Sequence, residues 1–555
     1  MTHSISRSVH AERSSQRCNE AATVHGHVAS PARICRPDGQ LIGMDRRLFV
    51  SDLARYAALC AVVPNIWRVT SRPTFTEYPF SLGVASGDPT PTGGVLWTRL
   101  APRPFEPDGG MEGTRTTVDW EVADDEQFAK IVKRGRAVAA PELSFSIHID
   151  VDGLAPDRWY FYRFTTGAAM SPVGRFRTTP AAGATTPLSF AFASCQHWEQ
   201  GYFTAHDHLA REEVDLAIHL GDYIYEYAGN RKAVRMHHGL EIRTIDDYRR
   251  RYAQYKSDPM LQRVHERCPW LVTWDDHEVD NNYAGLSGEN NMESTEQMRT
   301  RRAAAYQAWW EHQPVRVPRV QSWADLNITR QVAWGQLANF WMLDTRQYRD
   351  NQACGDGTVA PCDEWKEPQR TLLGNAQEQW LLNGLSSNAR WQVLAQQVMM
   401  APYDAAPGPE MRTSMDQWGG YPVARDRLLG EISKRAPNRT VVITGDIHTN
   451  WVNELHSDFS RPDRPTVAAE FVATSISSGG DGADVTPARL STMQGDNPHL
   501  KWFQNRRGYV KCRVDANTWT ADYRSVPFVE KPGAEITTAS SWRVEHGKAG
   551  ITKTG

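Results

Sequence analysis

After Pro187 the chain repeats one pattern: a short, largely apolar run stops at polar residues, a helical stretch follows, and another run begins. Leu188-Ser-Phe-Ala-Phe-Ala193, Asp215-Leu-Ala-Ile-His-Leu220, Trp270-Leu-Val-Thr-Trp274, Trp391-Gln-Val-Leu-Ala395 and Thr440-Val-Val-Ile-Thr444 are its instances. A strand with one wet face alternates, so continuous apolar strands belong to sheets covered on both faces. Ligands in such folds gather where strands end. The pattern predicts an α/β body over residues 187–545, with its chemistry just past the strand ends.

The stretch before it reads differently. From Tyr78 to about Pro180, Phe80-Ser-Leu-Gly-Val-Ala85, Gly94-Val-Leu-Trp-Thr-Arg99, Thr117-Val-Asp-Trp-Glu-Val122, Phe145-Ser-Ile-His-Ile-Asp150 and Tyr160-Phe-Tyr-Arg-Phe164 are short strands between turns. Period-two alternation dominates, which predicts a β-sandwich. Leu154-Ala-Pro-Asp-Arg-Trp-Tyr-Phe-Tyr162 resembles the Leu-x-Pro-x-x-x-Tyr signature of fibronectin type III-like domains. Residues 74–180 are therefore expected to form an Ig/fibronectin type III-like support, joined to the body by the stretch from Pro180 to Pro187.

A chain of 555 residues exceeds one ordinary core, which agrees with several domains. Net charge is only -3 and no Lys/Arg block occurs, so neither a nucleic-acid duplex nor an anionic membrane is the expected partner. Residues 1–70 read as a leader. Asp45-Arg46-Arg47-Leu48-Phe49-Val50 precedes a modestly apolar stretch from Leu53 to Val63, the arrangement of a twin-arginine export signal. That stretch is too short for a permanent span, which needs ~20 residues. The expectation is export by the twin-arginine translocase to the periplasm, cell wall or medium as a monomer; an amphipathic helix with two surface arginines is the alternative. Met1 and Met44 are both possible starts. Of the eight cysteines, Cys354 and Cys362 bracket a Gly- and Pro-containing loop that can close a disulfide, two free thiols being the other reading.

Four strand ends carry metal-type side chains: Ala193-Ser-Cys-Gln196, Gly221-Asp-Tyr-Ile-Tyr-Glu226, Asp275-Asp-His-Glu278 and Gly445-Asp-Ile-His448. A phosphoester needs a hydroxide at moderate pH and positive charge on the developing oxyanions, and clustered cations deliver both. A phenolate such as Tyr225 suits ferric iron, a thiolate such as Cys195 adds neutralising charge, and calcium prefers carboxylate and carbonyl oxygens. Taken singly, Cys195 and Tyr225 read as packing residues and Asp276-His277 as a helix cap with a surface imidazole. Their recurrence at successive strand ends reverses those readings.

Together with Gly83-Val-Ala-Ser-Gly-Asp-Pro89, Thr273-Trp-Asp-Asp-His-Glu-Val-Asp-Asn-Asn282 and Leu343-Asp-Thr-Arg346, these motifs resemble the alkaline phosphatase D (PhoD-like) family over roughly residues 78–545. The resemblance implies a multidomain fold: an Ig-like front domain, then an α/β metallophosphoesterase-like catalytic domain, a β-sandwich flanked by helices. It implies an iron- and calcium-dependent phosphatase/phosphodiesterase acting through a metal-bridging oxide or hydroxide on a small phosphoester or a phosphodiester polymer. Cys195, Asp222 and Tyr225 look like iron ligands, with Asp222 bridging to calcium and Asp446 and His448 completing the cluster. By similarity to the wider superfamily, Asp276 takes a ligand position and His277 a catalytic hydrogen-bonding one. Asp275, Asn281 and Asn282 are second metal candidates, and Gln397 a further ligand or substrate contact. Arg346 is the expected phosphate clamp, since a guanidinium pairs bidentately with phosphate oxygens.

Other residues carry plainer expectations. The run from Tyr248 to Tyr252 with three arginines reads as a solvated helix face, His237 and His238 as surface residues, and Trp310, Trp341, Trp380 and Trp391 as core. Two rival functions are a phospholipase D-like diesterase, whose His-x-Lys element with a matching downstream Asp is missing from the sequence, and a non-catalytic wall-polymer binding protein.

Overall fold

Alternation between two hydrophobic cores organises the body. In the strand Leu188–Ala193, Phe190 and Phe192 point into one core while Ala191 and Ala193 point into another. Val393 and Ala395 are likewise divided from Leu394, and Val441 and Ile443 from Val442. Strands buried on both faces must be sandwiched between layers, and each buried Phe contributes roughly 1.5–3 kcal/mol.

The computed structural model, which describes residues 74–289, 292–461 and 464–555, shows those layers. The expected leader lies outside the described residues. One sheet has ten strands; its centre is Leu188–Ala193, Leu216–His219 and Trp270–Val272, all parallel. A second sheet has seven, with Ala338–Met342, Trp391–Ala395, Thr440–Thr444 and Thr466–Val472 parallel at its centre. Phe190, Phe192 and Ile218 meet Phe340, Val393 and Ile443 between the sheets. Helices cover both outer faces. Ile245–Lys256, Pro259–Arg267 and Thr295–His312 lie against the first sheet, and Asn375–Leu385 and Pro422–Arg435 against the second. Their starts are written locally: Thr244 with Asp247 and Ser294 with Gln297 form capping boxes, and Asp258 caps a helix that opens on Pro259.

The front residues build two facing sheets around a shared core that includes Leu96, Val118, Val122, Tyr162, Phe164 and Phe176. One is a separate five-stranded sheet containing Thr116–Ala123, Ile131–Ala139 and Trp159–Thr166. The other, Val84–Thr90, Gly93–Arg99 and Ser146–Val151, extends the ten-stranded sheet through the pairing of Gly87 with Trp270. A Cβ on Gly87 would stand 2.2 Å from the Pro314 carbonyl oxygen, so only glycine permits that join. The Phe80–Leu82 part of the first expected strand is instead a turn, and strand structure begins at Val84.

The arginine run is a correction. Arg251 is buried and donates to the Tyr225 carbonyl, and Arg249 pairs with the buried Glu311. His237 is also buried, hydrogen-bonded to the Tyr255 hydroxyl at 2.9 Å. Trp310, Trp341 and Trp391 do lie in cores.

Buried imidazoles give the fold a pH dependence, and His499 is one of them. Burial holds His499 down at about 4, although its ring Nε2–H donates to the Pro402 carbonyl at 2.7 Å. Unfolded, the ring titrates near 6.5. Between about pH 6.5 and 4 the unfolded chain binds more protons, so stability present above that window is lost as pH falls, on the order of 3 kcal/mol. Urea unfolding across this range should show a loss to which other buried imidazoles such as His148 and His206 add, and His499→Gln should lessen it by about that amount; equal slopes in parent and variant would refute the assignment.

Candidate metal centre

The parallel strands of both sheets end on one side of the molecule, where a bridge between Ser194 and Ser475 ties the sheets together. Here the chain leaves ordinary backbone geometry. Cys195, Asp222, Asp446 and His448 all have positive φ, between 55° and 63°. Non-glycine residues adopt this region at a cost of order 1–3 kcal/mol and keep it only where the surroundings enforce it, most often at functional sites. Gly221, at φ 109°, lets Asp275 approach; a Cβ there would lie 2.4 Å from that of Asp275.

Among the described residues, three sets of donor atoms each fall within 4.8 Å of one another: Cys195, Asp222 and His448; Asp222, Asp276 and His277; Asp275, Asp276 and Asp446. Asp222 joins the first set to the second, and Asp276 the second to the third. The Tyr225 hydroxyl donates to Asp222 Oδ2 at 2.8 Å and lies 3.2 Å from His448 Nε2 and 2.7 Å from Ser478 Oγ. Thiol, phenol, carboxylates and imidazoles from distant stretches of chain thus share one site.

Three of these carboxylates each leave one oxygen without a protein hydrogen bond. Asp222 Oδ1, Asp275 Oδ2 and Asp276 Oδ1 are buried without a hydrogen bond. Orphaned buried carboxylate oxygens are costly unless a cation meets them. Burial first, then the Asp222 carboxylate, pushes the Cys195 thiol and the Tyr225 phenol well above their ordinary ranges. Burial likewise raises Asp222, with Asp276 and Glu278 adding to it despite His277. A cation reverses this logic by favouring the deprotonated ligands. Burial holds His448 down at about 3, leaving a neutral imidazole able to ligate. The residues fit metal ions.

Scaffolding residues fix the donors. Glu278 accepts from the backbone N–H of Asp222, Tyr223 and Asp275 at 3.0, 2.6 and 2.8 Å, locking two strand-end loops together. Glu226 Oε2 lies 2.8 Å from His277 Nδ1, leaving Nε2 as that ring's remaining nitrogen. Burial alone would lower His277, but Glu226, Asp276 and Asp222 outweigh it and raise it well above the usual imidazole range. Ser478 accepts from the His197 N–H and donates to the Cys195 carbonyl.

Four expected residues take other parts than the sequence suggests. Arg346 is fully buried and spends its guanidinium on carboxylates: Nε on Asp275, Nη1 on both oxygens of Asp416 and Nη2 on Asp446 at 2.8 Å, with Asp276 at 3.6 Å. It neutralises the acidic ring from within and offers no free edge as a phosphate clamp. Gln397 is used up beneath the site, accepting from Thr345 and donating to Thr273 Oγ1 and the Leu343 carbonyl, so it does not face substrate. Asn281 turns its amide to Glu289 at 2.8 Å, away from the donors, while the Asn282 N–H steadies Asp276 Oδ2 at 2.7 Å.

Residues 190–523 match the PhoD-like phosphatase family and residues 67–180 its N-terminal domain. The chain is 48% identical over 521 residues to alkaline phosphatase D of Bacillus subtilis strain 168, covering 92% of this chain and 89% of that protein. This chain belongs to the PhoD-like phosphatase family. A solved structure of PhoD superposes with a TM-score of 0.84 at 49% identity, covering 87% of this chain and 93% of that one. A purple acid phosphatase from yellow lupin seeds, at 13% identity, has a TM-score of 0.50 over 83% of this chain and 73% of its own. At that identity the lupin enzyme speaks only for the fold, the same helix-flanked pair of sheets. Within the PhoD-like frame, the residues given no role from sequence are Glu226, Glu278, Asp416, Ser478 and Gln417, whose amide donates to Asp446 Oδ2. Ser478 had a signal: it follows the strand Thr466–Val472 as the candidate ligands follow theirs.

Proposed function

We propose that this PhoD-like phosphatase is an exported hydrolase of phosphate mono- and diesters that holds iron at Cys195, Asp222 and Tyr225 and calcium among Asp222, Asp275, Asp276 and Asp446, with His448 completing the cluster. The observation that carries this reading is the linkage of three donor sets through Asp222 and Asp276. The thiol, phenol and imidazole lie at one end of the chain of donors and oxygen donors alone at the other, the division expected for a transition metal beside a hard divalent cation. When bound, such cations supply a nucleophilic water at moderate pH and positive charge for the phosphoryl oxygens.

The chain's own residues do the remaining work. Asp222 and Asp276 space the two halves of the site. Glu226 fixes the His277 ring through Nδ1, so Nε2–H can donate to a phosphoryl or leaving-group oxygen. Arg346 and Glu278 hold the carboxylates and loops against collapse.

Export is part of the same proposal. Cys354 and Cys362 are joined in a disulfide, a bond that persists in oxidising compartments. Among the described residues no helix is long and apolar enough to cross a membrane. The front domain is read as an Ig-like support and the protein as a monomer.

Elemental analysis of the full chain, with turnover of p-nitrophenyl phosphate and its bis-ester before and after chelation, tests the chemistry. Iron and calcium should be present, and activity should fall on chelation and return with the cations. Unchanged turnover in a metal-free protein would defeat the hydrolase mechanism. Cytoplasmic retention of both the parent and an Arg46→Lys/Arg47→Lys variant would defeat export.

A further inference from the structure

The Cys354–Cys362 hairpin is wired to the acidic half of the centre by two routes. In the first, Thr358–Val359 pairs antiparallel with Thr413–Ser414, the Met415 N–H donates to the Gly357 carbonyl at 2.9 Å, and Arg412 donates to the Thr358 carbonyl at 2.8 Å. That segment leads directly to Asp416, which receives Arg346, Arg349 and Gln352, and to Gln417, whose amide donates to Asp446 Oδ2. In the second, Asp356 inside the hairpin accepts from Asn282 Nδ2 at 2.6 Å, and the Asn282 N–H holds Asp276 Oδ2. Flanking residues reinforce both routes: Gln352 also donates to the Asn282 carbonyl at 2.7 Å, and Trp365 Nε1 to the Gly419 carbonyl at 2.7 Å.

We propose that the disulfide-closed hairpin is a redox-dependent brace of the metal centre: closed, it holds Asp416, Gln417 and Asn282 where they orient Asp446 and Asp276; opened, it releases them and weakens cation binding. The hairpin itself is solvent-facing, with Asp356, Gly357 and Thr358 exposed, and it packs little apolar surface. Its shape therefore depends on the covalent closure more than on a core. Closure of so short a loop restricts the backbone that presents Asp356 and the Thr358–Val359 edge, and hydrogen bonds to ligands from such outer partners set ligand orientation.

Access favours reduction at this site. Cys362 is exposed, whereas Cys195, Cys268 and Cys512 are buried free thiols. An external dithiol attacks the Cys362 sulfur as a thiolate, the Cys354–Cys362 bond breaks, and a mixed disulfide forms. The reagent's second thiol then displaces Cys362, so two electrons and two protons reach the protein and the reagent leaves oxidised.

The proposal rests on the cation-site reading above, and the test separates the two. Full-length protein, oxidised, reduced with a dithiol, and reoxidised, is titrated calorimetrically with Ca2+, and hydrogen exchange of residues 403–422 is followed in chelator. Reduction should weaken Ca2+ binding about tenfold or more, the range of outer-partner losses at metal sites, and accelerate exchange in that segment, both reversing on reoxidation. A Cys354→Ser/Cys362→Ser variant should match the reduced form. Equal Ca2+ affinity, or equal exchange, in oxidised and reduced protein overturns the brace while leaving the metal centre standing. Absence of Ca2+ binding in the oxidised protein overturns both.

Discussion

Asp222→Asn is expected to lower kcat/KM for phosphate esters by at least about a thousandfold, roughly 4 kcal/mol of barrier, and to reduce the bound metal content. Asparagine keeps the shape of the side chain but replaces an anionic oxygen with an N–H2 group that cannot ligate. Asp222 belongs to two of the three donor sets, so one substitution damages both halves of the site, whereas Cys195→Ser damages only one. The backbone does not confound the test: Asp222 sits at φ 55°, a region asparagine tolerates as well as aspartate. Folding stability in chelator should hold or rise, because a buried carboxylate pushed upward by burial is removed. Kinetics within tenfold of the parent, with unchanged metal content, would show that Asp222 joins nothing.

The strands Leu188–Ala193, Trp391–Ala395 and Thr440–Thr444 were legible to the residue because burial on both faces leaves an unbroken apolar run. Ile131–Ala139 was not, since it lies at a sheet edge and alternates exposed residues such as Arg134 and Arg136 with half-buried ones, with no apolar run to mark it. The same contrast runs through the site. Residues placed at strand ends by the chain itself, Cys195, Asp222 and Asp446, could be read from position. Residues whose role depends on a partner far along the chain could not. Asp416 matters because Arg346 and Arg349 arrive from some seventy residues away, and Arg251 is buried because Tyr225 offers it a carbonyl. Periodicity records which side of an element is wet; it does not record which distant charge will meet it. That is why the three-arginine run looked like a solvated face and why Arg346 looked like a clamp.

Arg346→Ala is the second large effect, and its size follows from what the guanidinium leaves behind. Removing it strips the counter-charge from Asp275 and Asp446, weakens the hold on Asp276, and leaves Asp416 to Arg349 and Gln352. Breaking a buried pair on one side costs about 3–5 kcal/mol, because the remaining charge cannot return to water. Urea unfolding of the variant in chelator should show a loss of that order. Adding Ca2+ should restore part of it, since a cation among the same carboxylates supplies the missing charge and binds only the folded form. Arg346→Lys should rescue poorly, because one ammonium cannot reach three carboxylates in the directions the planar fork spans. A phosphate clamp predicts the opposite pattern: raised KM and lowered kcat/KM, with stability and metal content untouched. That outcome would return Arg346 to the mouth of the site and remove it from the acidic ring.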